Sequence, residues 1–205
     1  MDADKLATAR QCKGFLDEDE GLRLHALGKE HAHLGPVVEI GSYCGKSSVY
    51  LGAGVQESGG TLVCVDHHRG SEEHQRGEEY HDEELYDAQA GKLDTLGTLR
   101  QTLHAADLEQ TAVILVAGSQ QAAALCADGL GMVFIDGGHS HAQAHRDYDA
   151  WAGKVAPGGI LAIHDLFPDP NEGGQAPIEI YRKGVASGLF DELETTKTLG
   201  ALRRR

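Results

Sequence analysis

Basic residues are scarce. The 205-residue chain carries 18 Lys and Arg against 32 Asp and Glu, a formal charge of −14. Nucleic acids and anionic membranes both reward a basic face, so neither is expected as a partner. The Arg203-Arg204-Arg205 run is too short to reverse that balance. Long apolar runs are also missing: none approaches the roughly 20 residues that span a bilayer. The opening Met-Asp-Ala-Asp-Lys lacks the basic-then-apolar pattern of an export signal, and a cytoplasmic location is expected. No Cys-x-x-Cys pair occurs among Cys12, Cys44, Cys64 and Cys126, which are expected to be buried reduced thiols. There is no internal repeat. The length suits one domain with a sizeable core.

Two glycines are missing where nucleotide sites would need them. Residues 37–48 read Val-Val-Glu-Ile-Gly-Ser-Tyr-Cys-Gly-Lys-Ser-Ser. Gly45-Lys46-Ser47 is the tail of a P-loop, but that loop needs a glycine at position 40, and Ile40 stands there. A dinucleotide fingerprint needs its middle glycine where Tyr43 stands, and without it the backbone cannot easily approach a pyrophosphate. What remains is an apolar strand, Glu39 near its end, and a Gly41-x-x-x-Gly45 turn into a helix.

Short apolar runs at 37–41, 61–66, 112–117, 132–136 and 159–164 read as strands buried on both faces. They alternate with helical stretches near 46–55, 93–106, 119–127 and 141–154. This rhythm predicts an α/β, doubly wound, Rossmann-like sheet. An amphipathic helix over 19–33 precedes the first strand, within a helical extension spanning 1–35. Ala176-Pro177 opens a last helix, and 191–197 and 199–204 predict an antiparallel edge. The stretch 67–92, with four His and eight Asp or Glu, breaks the rhythm. It is either a lid or a solvated insertion.

Ligands of such a sheet bind outside the carboxyl ends of its strands. Asp66 ends the second strand, where a carboxylate can take both hydroxyls of a ribose or simply cap a turn. His67 follows it directly. Asp136-Gly137-Gly138-His139 ends the fourth strand and His164-Asp165 the fifth, so these side chains face one crevice.

Glu39-x-Gly41-x-x-x-Gly45 together with Asp66 resembles the cofactor site of class I S-adenosylmethionine-dependent methyltransferases. The resemblance implies a seven-stranded sheet ending in an antiparallel hairpin. It implies a cofactor set of Glu39, Gly41, Ser42, Tyr43, Gly45, Ser47, Asp66, His67, Gly118, Ser119 and Asp136. Within that set the glycine turn lies against methionine, Asp66 takes the ribose and the Gly118-Ser119 turn meets the adenine. Asp-Gly-x-His, the Pro157-Gly158-Gly159 turn and the terminal acids resemble the metal-dependent O-methyltransferases, including those acting on sugar hydroxyls. That subgroup implies Asp136, His164 and Asp165 as ligands to Mg²⁺ or Mn²⁺, and His139 as general base. His164 stands where relatives place an acid. Imidazole suits softer ions than Mg²⁺, so His164 is either a ligand to a Mn²⁺-like ion or a group behind the ligands. The 67–92 stretch and Phe167-Pro168-Asp169-Pro170-Asn171 resemble the mycobacterial mannoside 1-O-methyltransferases of methylmannose polysaccharide synthesis. The expected acceptor is therefore a small molecule or an oligosaccharide, and the expected assembly a homodimer.

Three other features read as structural. His141 and His145 share a helix face and read as solvated. Tyr148 and Trp151 read as core. Asp17-Glu18-Asp19-Glu20 reads as an acidic helix start that complements the macrodipole.

Overall fold

The structure, a computed structural model, describes residues 1–71, 77 and 82–205. The parts of the expected lid at 72–76 and 78–81 lie outside the described residues. The chain begins with helices α1 (Ala3–Gln11) and α2 (Glu18–His31), then runs β1 (Val37–Ile40), α3 (Lys46–Glu57) and β2 (Leu62–Asp66). A small hairpin, β3 (Tyr86–Asp87) with β4 (Lys92–Leu93), leads into α4 (Leu96–Ala105), β5 (Ala112–Val116), α5 (Ser119–Leu125) and β6 (Leu130–Ile135). The chain closes with α6 (His141–Trp151), β7 (Val155–Ile163), α7 (Ala176–Ala186), β8 (Phe190–Glu192) and β9 (Gly200–Arg204).

Seven strands form one sheet in the order β5-β2-β1-β6-β7-β9-β8. Strands β1, β2, β5, β6 and β7 run parallel, and β9 pairs antiparallel with both β7 and β8. Strand side chains alternate between faces. Val37, Cys64, Phe134 and Ala162 pack with α1–α4 on one side. Val38, Val65, Val133 and Ile163 pack with α5–α7 on the other. Trp151 and Tyr148 are buried in that second core, as their spacing implies. Cys44 and Cys64 are buried free thiols, whereas Cys12 and Cys126 are only half-buried.

Two local readings change. Pro157-Gly158-Gly159 does not enter the fifth strand from outside. It forms an irregular stretch within β7, where Val155 faces Leu130 but Ile160 already faces Met132. Proline has no ladder donor, and Gly158 takes φ +80°, so regular pairing cannot continue there. The end of the 67–92 stretch is built rather than loose: Leu85 and Leu93 cluster with Cys44 beneath the glycine turn.

The packing of α2 on α3 decides what α2 can reach. A Cβ on Gly54 would lie 2.2 Å from the His25 carbonyl oxygen, and one on Gly28 3.2 Å from that of Leu51. The helices approach backbone to backbone because these residues have no side chains. Alanine gains about 1 kcal/mol over glycine in a helix interior. The clash outweighs that gain, since overpacking typically costs about 1–3 kcal/mol. Gly54→Ala is therefore expected to lower the urea unfolding midpoint. A raised midpoint would show that the helices can separate at no cost.

Candidate active site

The glycine turn follows β1. Gly41 sits at φ +92°, and a Cβ there would lie 2.1 Å from the Asp136 carbonyl oxygen. Glycine is required at this point for β1 and β6 to end side by side. Gly45, at φ +95°, caps α3. Lys46 donates to the Gly14 carbonyl at 3.3 Å, which matches the broken P-loop register.

Glu39 is fully buried beneath the turn. Ser48 Oγ donates to its Oε2 at 2.5 Å, and the Ser47 hydroxyl also faces this carboxyl. Burial drives the Glu39 pKa up to about 7. Ser42 also faces this carboxyl, but Glu39 Oε1 and Ser42 Oγ make no well-formed hydrogen bond among the described residues. Unsatisfied buried polar atoms are uncommon and call for an explanation; here they lie together under the turn expected to hold the methionine moiety.

Asp66 joins two turns. Its Oδ2 accepts the Tyr43 N–H at 2.9 Å and its Oδ1 the His68 N–H at 2.7 Å. Each oxygen keeps a second lone pair for a ligand hydroxyl. His67 is largely exposed, and its Nδ1 accepts from the Arg69 N–H. Ala117 N–H donates to the Asp66 carbonyl at 3.2 Å, which brings the Gly118-Ser119 turn beside Asp66. The Ser119 hydroxyl accepts from Trp151 Nε1 at 2.9 Å within the core and also faces the buried Asp147 carboxyl.

The second cluster spans the ends of β6 and β7. Asp136 N–H donates to the Ile40 carbonyl and His164 N–H to that of Ile135. Asp165 adopts φ +58°, a left-handed conformation that Asp tolerates better than most residues and that is enriched at functional sites. Its Oδ2 lies 3.0 Å from His139 Nε2. Ligand atoms of Asp136, His139 and Asp165 all fall within 4.8 Å of one another.

His164 does not belong to that group. Its side chain is 6% exposed, with Nδ1 3.1 Å from Asp136 and 3.4 Å from Asp165, and Nε2 3.0 Å from Glu20. Burial alone would lower its pKa, but the carboxylates, Asp136 foremost, push it up to about 11. Of the expected ligands, His164 thus lies between Glu20 and the two acids, while His139 groups with Asp136 and Asp165 at the crevice.

Glu20 escaped the sequence reading. It closes a capping box with Asp17 at the start of α2, as the acidic run suggests. Yet its carboxylate is buried and accepts from His164 and from Thr198 N–H and Oγ1 at 2.8 and 2.7 Å. Burial opposes its ionisation, but these partners hold its pKa down to about 2.

Residues 38–166 match the family model described as a methyltransferase domain. The chain belongs to that family. Its fold is that of solved methyltransferases. An O-methyltransferase from Bacillus cereus, solved with SAH, aligns at 15% identity over all of this chain and 92% of its own, with a TM-score of 0.65. The O-methyltransferase TomG from Streptomyces achromogenes, involved in tomaymycin synthesis and solved with SAM, aligns at 15% identity over 100% and 92% of the two chains, with a TM-score of 0.62. Podospora anserina PaMTH1, an SAH-bound methyltransferase, aligns at 11% identity over 100% and 89%, with a TM-score of 0.68. Both clusters of this methyltransferase lie inside the matched region, whereas Glu20 lies outside it. Among the described residues no helix is long and apolar enough to cross a membrane.

Glu20→Gln takes one charged hydrogen bond from His164, which keeps Asp136 and Asp165; such a bond contributes about 1.5–3 kcal/mol. Glu20→Gln is expected to destabilise the methyltransferase by that order at pH 6.5, measured by urea unfolding. The His164 pKa is raised on folding from 6.5 to about 11. Its stabilisation is therefore complete below pH 6.5 and lost as pH rises through 11. The wild-type advantage over Glu20→Gln should shrink along that window; a gap that widens with pH would refute the charged assignment.

Proposed function

We propose that this methyltransferase carries a methyl group from S-adenosyl-L-methionine to a hydroxyl of a small-molecule acceptor. The observation that carries the reading is the meeting of Asp136, His139 and Asp165 within 4.8 Å, beside a glycine turn whose Gly41 touches the Asp136 backbone. Fold neighbours solved with SAM or SAH support the cofactor. Asp66 would accept the ribose hydroxyls, and the backbone at Gly118-Ser119 would meet the adenine. The buried Glu39 carboxyl beneath the turn suits the cationic methionine moiety.

An alcohol is a poor nucleophile at neutral pH. His139 removes its proton as general base, an effect typically worth about 10²–10⁴-fold. Asp165 orients the ring and stabilises the imidazolium that forms. Asp136 and Asp165 offer the hard oxygens that would hold Mg²⁺ or Mn²⁺. Such an ion, when bound, lowers the pKa of the acceptor hydroxyl. The proximity of His139 to both acids favours a second reading, in which His139 is itself a ligand. One lone pair cannot serve both roles, so the readings exclude each other.

The acceptor we favour is a sugar or saccharide hydroxyl, in the first instance the 1-OH of a mannoside, on the resemblance of 67–92 and 167–171. The alternatives are another small-molecule hydroxyl, or a non-catalytic protein that retains the fold for binding. A homodimer remains the proposed assembly, checked by sedimentation.

Calorimetry should show SAH binding but neither ATP nor NAD binding. A methyl-transfer screen over mono- and oligosaccharides, including partly methylated mannosides, should then find turnover. SAH binding with no turnover on any hydroxyl acceptor would favour the binding-protein alternative. EDTA is expected to abolish turnover while SAH affinity survives; full activity after thorough chelation would remove the metal. His139→Ala should lower turnover about 10²–10⁴-fold with little change in SAH affinity. Unchanged Mn²⁺ affinity in that variant supports the base, and lost affinity supports the ligand reading.

A further inference from the structure

We propose that His141, His145 and Glu179 form a second cation site, for a borderline-soft divalent ion of the Zn²⁺ class. It shares no residue with the methyl-transfer crevice. His141 and His145 lie one turn apart on α6, with ring centroids 4.2 Å apart. Glu179 reaches across from α7. Nε2 of His141 and Nε2 of His145 face the same oxygen, Glu179 Oε2, at 3.2 and 3.4 Å. Ligand atoms of the three residues all lie within 4.8 Å of one another.

The distances discriminate between two accounts. Charge-assisted N–H···O bonds run at about 2.7–2.9 Å, so both contacts are long for ion pairs. Tetrahedral ligands about 2.0–2.1 Å from a Zn²⁺ ion stand roughly 3.3 Å apart. The two nitrogen–oxygen spacings match that edge, and the two histidines offer ligand nitrogens within 4.8 Å of each other. Two imidazoles and a carboxylate suit Zn²⁺, Co²⁺ or Ni²⁺ and not Mg²⁺, and they leave a fourth position for water. His141 is 72% and Glu179 44% exposed at the side chain, so an ion can enter without any opening of the fold. Once bound it would tie α6, which starts after the Asp136–His139 turn, to α7, which starts after the 167–175 segment.

The test uses the untagged full-length chain, stripped with EDTA and titrated with Co²⁺ and then Zn²⁺. Asp136→Asn/Asp165→Asn removes the crevice carboxylates. In that background Co²⁺ should give the visible bands of a tetrahedral site, Zn²⁺ should bleach them, and Zn²⁺ should raise the thermal midpoint. Adding His145→Ala or Glu179→Gln should weaken binding at least about tenfold, near the 10–100-fold that loss of even an outer-sphere partner costs. A second arm does not depend on the folding of the crevice variant: His145→Ala alone should remove one equivalent of Zn²⁺ from the otherwise unaltered chain by calorimetry. Absent tetrahedral bands in a folded crevice variant, or unchanged zinc stoichiometry and affinity in His145→Ala, overturns the proposal.

Discussion

One buried cation sets the terms for the whole crevice. His164 stands between Glu20 on one side and Asp136 and Asp165 on the other. Taking an imidazolium and its carboxylates out of water is costly, and only near-complete hydrogen bonding makes it tolerable. That requirement fixes several elements at once. Helix α2 must bring Glu20 to the β7 end, the turn before β9 must bring Thr198 to Glu20, and β6 and β7 must end in register. The network therefore acts mainly as a specification of geometry. Any slip of α2, β6 or β7 would leave a charge unpaired in the interior.

Backbone-level packing makes the network possible. Gly28 and Gly54 allow α2 to lie directly on α3, and α3 is the helix that follows the glycine turn. Gly41 allows β1 to end against Asp136. The glycine turn and the acid cluster are thus coupled through glycine contacts with no side chain between them. Any motion of β6 relative to β1 would alter both clusters together. This coupling lives on the packing link of the chain of cause, and its consequence is for in-line geometry, where small displacements are expensive.

Much of this was legible in the sequence. The five parallel strands announce themselves as short β-branched runs, and the strand-end acids fall where a doubly wound sheet must bind ligands. Ile40 and Tyr43, standing where glycines were needed, excluded two cofactor classes before any coordinates. What stayed hidden is non-local. Glu20 reads as part of an acidic helix start, and that reading is correct as far as it goes. Its second job depends on His164, 144 residues away, and no local pattern encodes that distance. The role of His164 was likewise undecidable from spacing, because a ligand and a buried imidazolium have the same sequence signature. The Ser119 hydroxyl is a similar case: it is engaged by Trp151, a partner on another element.

The position of His164 changes how charge is balanced in the proposed reaction. A sulfonium loses its positive charge when the methyl leaves, and the acceptor proton restores one on His139. Positive charge is therefore relocated within the crevice and not created. A field that favours the bound cofactor also favours the protonated base, provided both lie near the same carboxylates. Asp136 and Asp165 supply that field, and His164, itself paired with Glu20, lies against both of them. A crevice of carboxylates alone would hold a divalent ion more tightly but would face greater mutual repulsion without one. Asp165 is kept below the usual carboxylate range against burial, chiefly by its hydrogen bond to His139 and then by the charge of His164. His164 therefore acts on the crevice through Asp165, the acid it shares with His139.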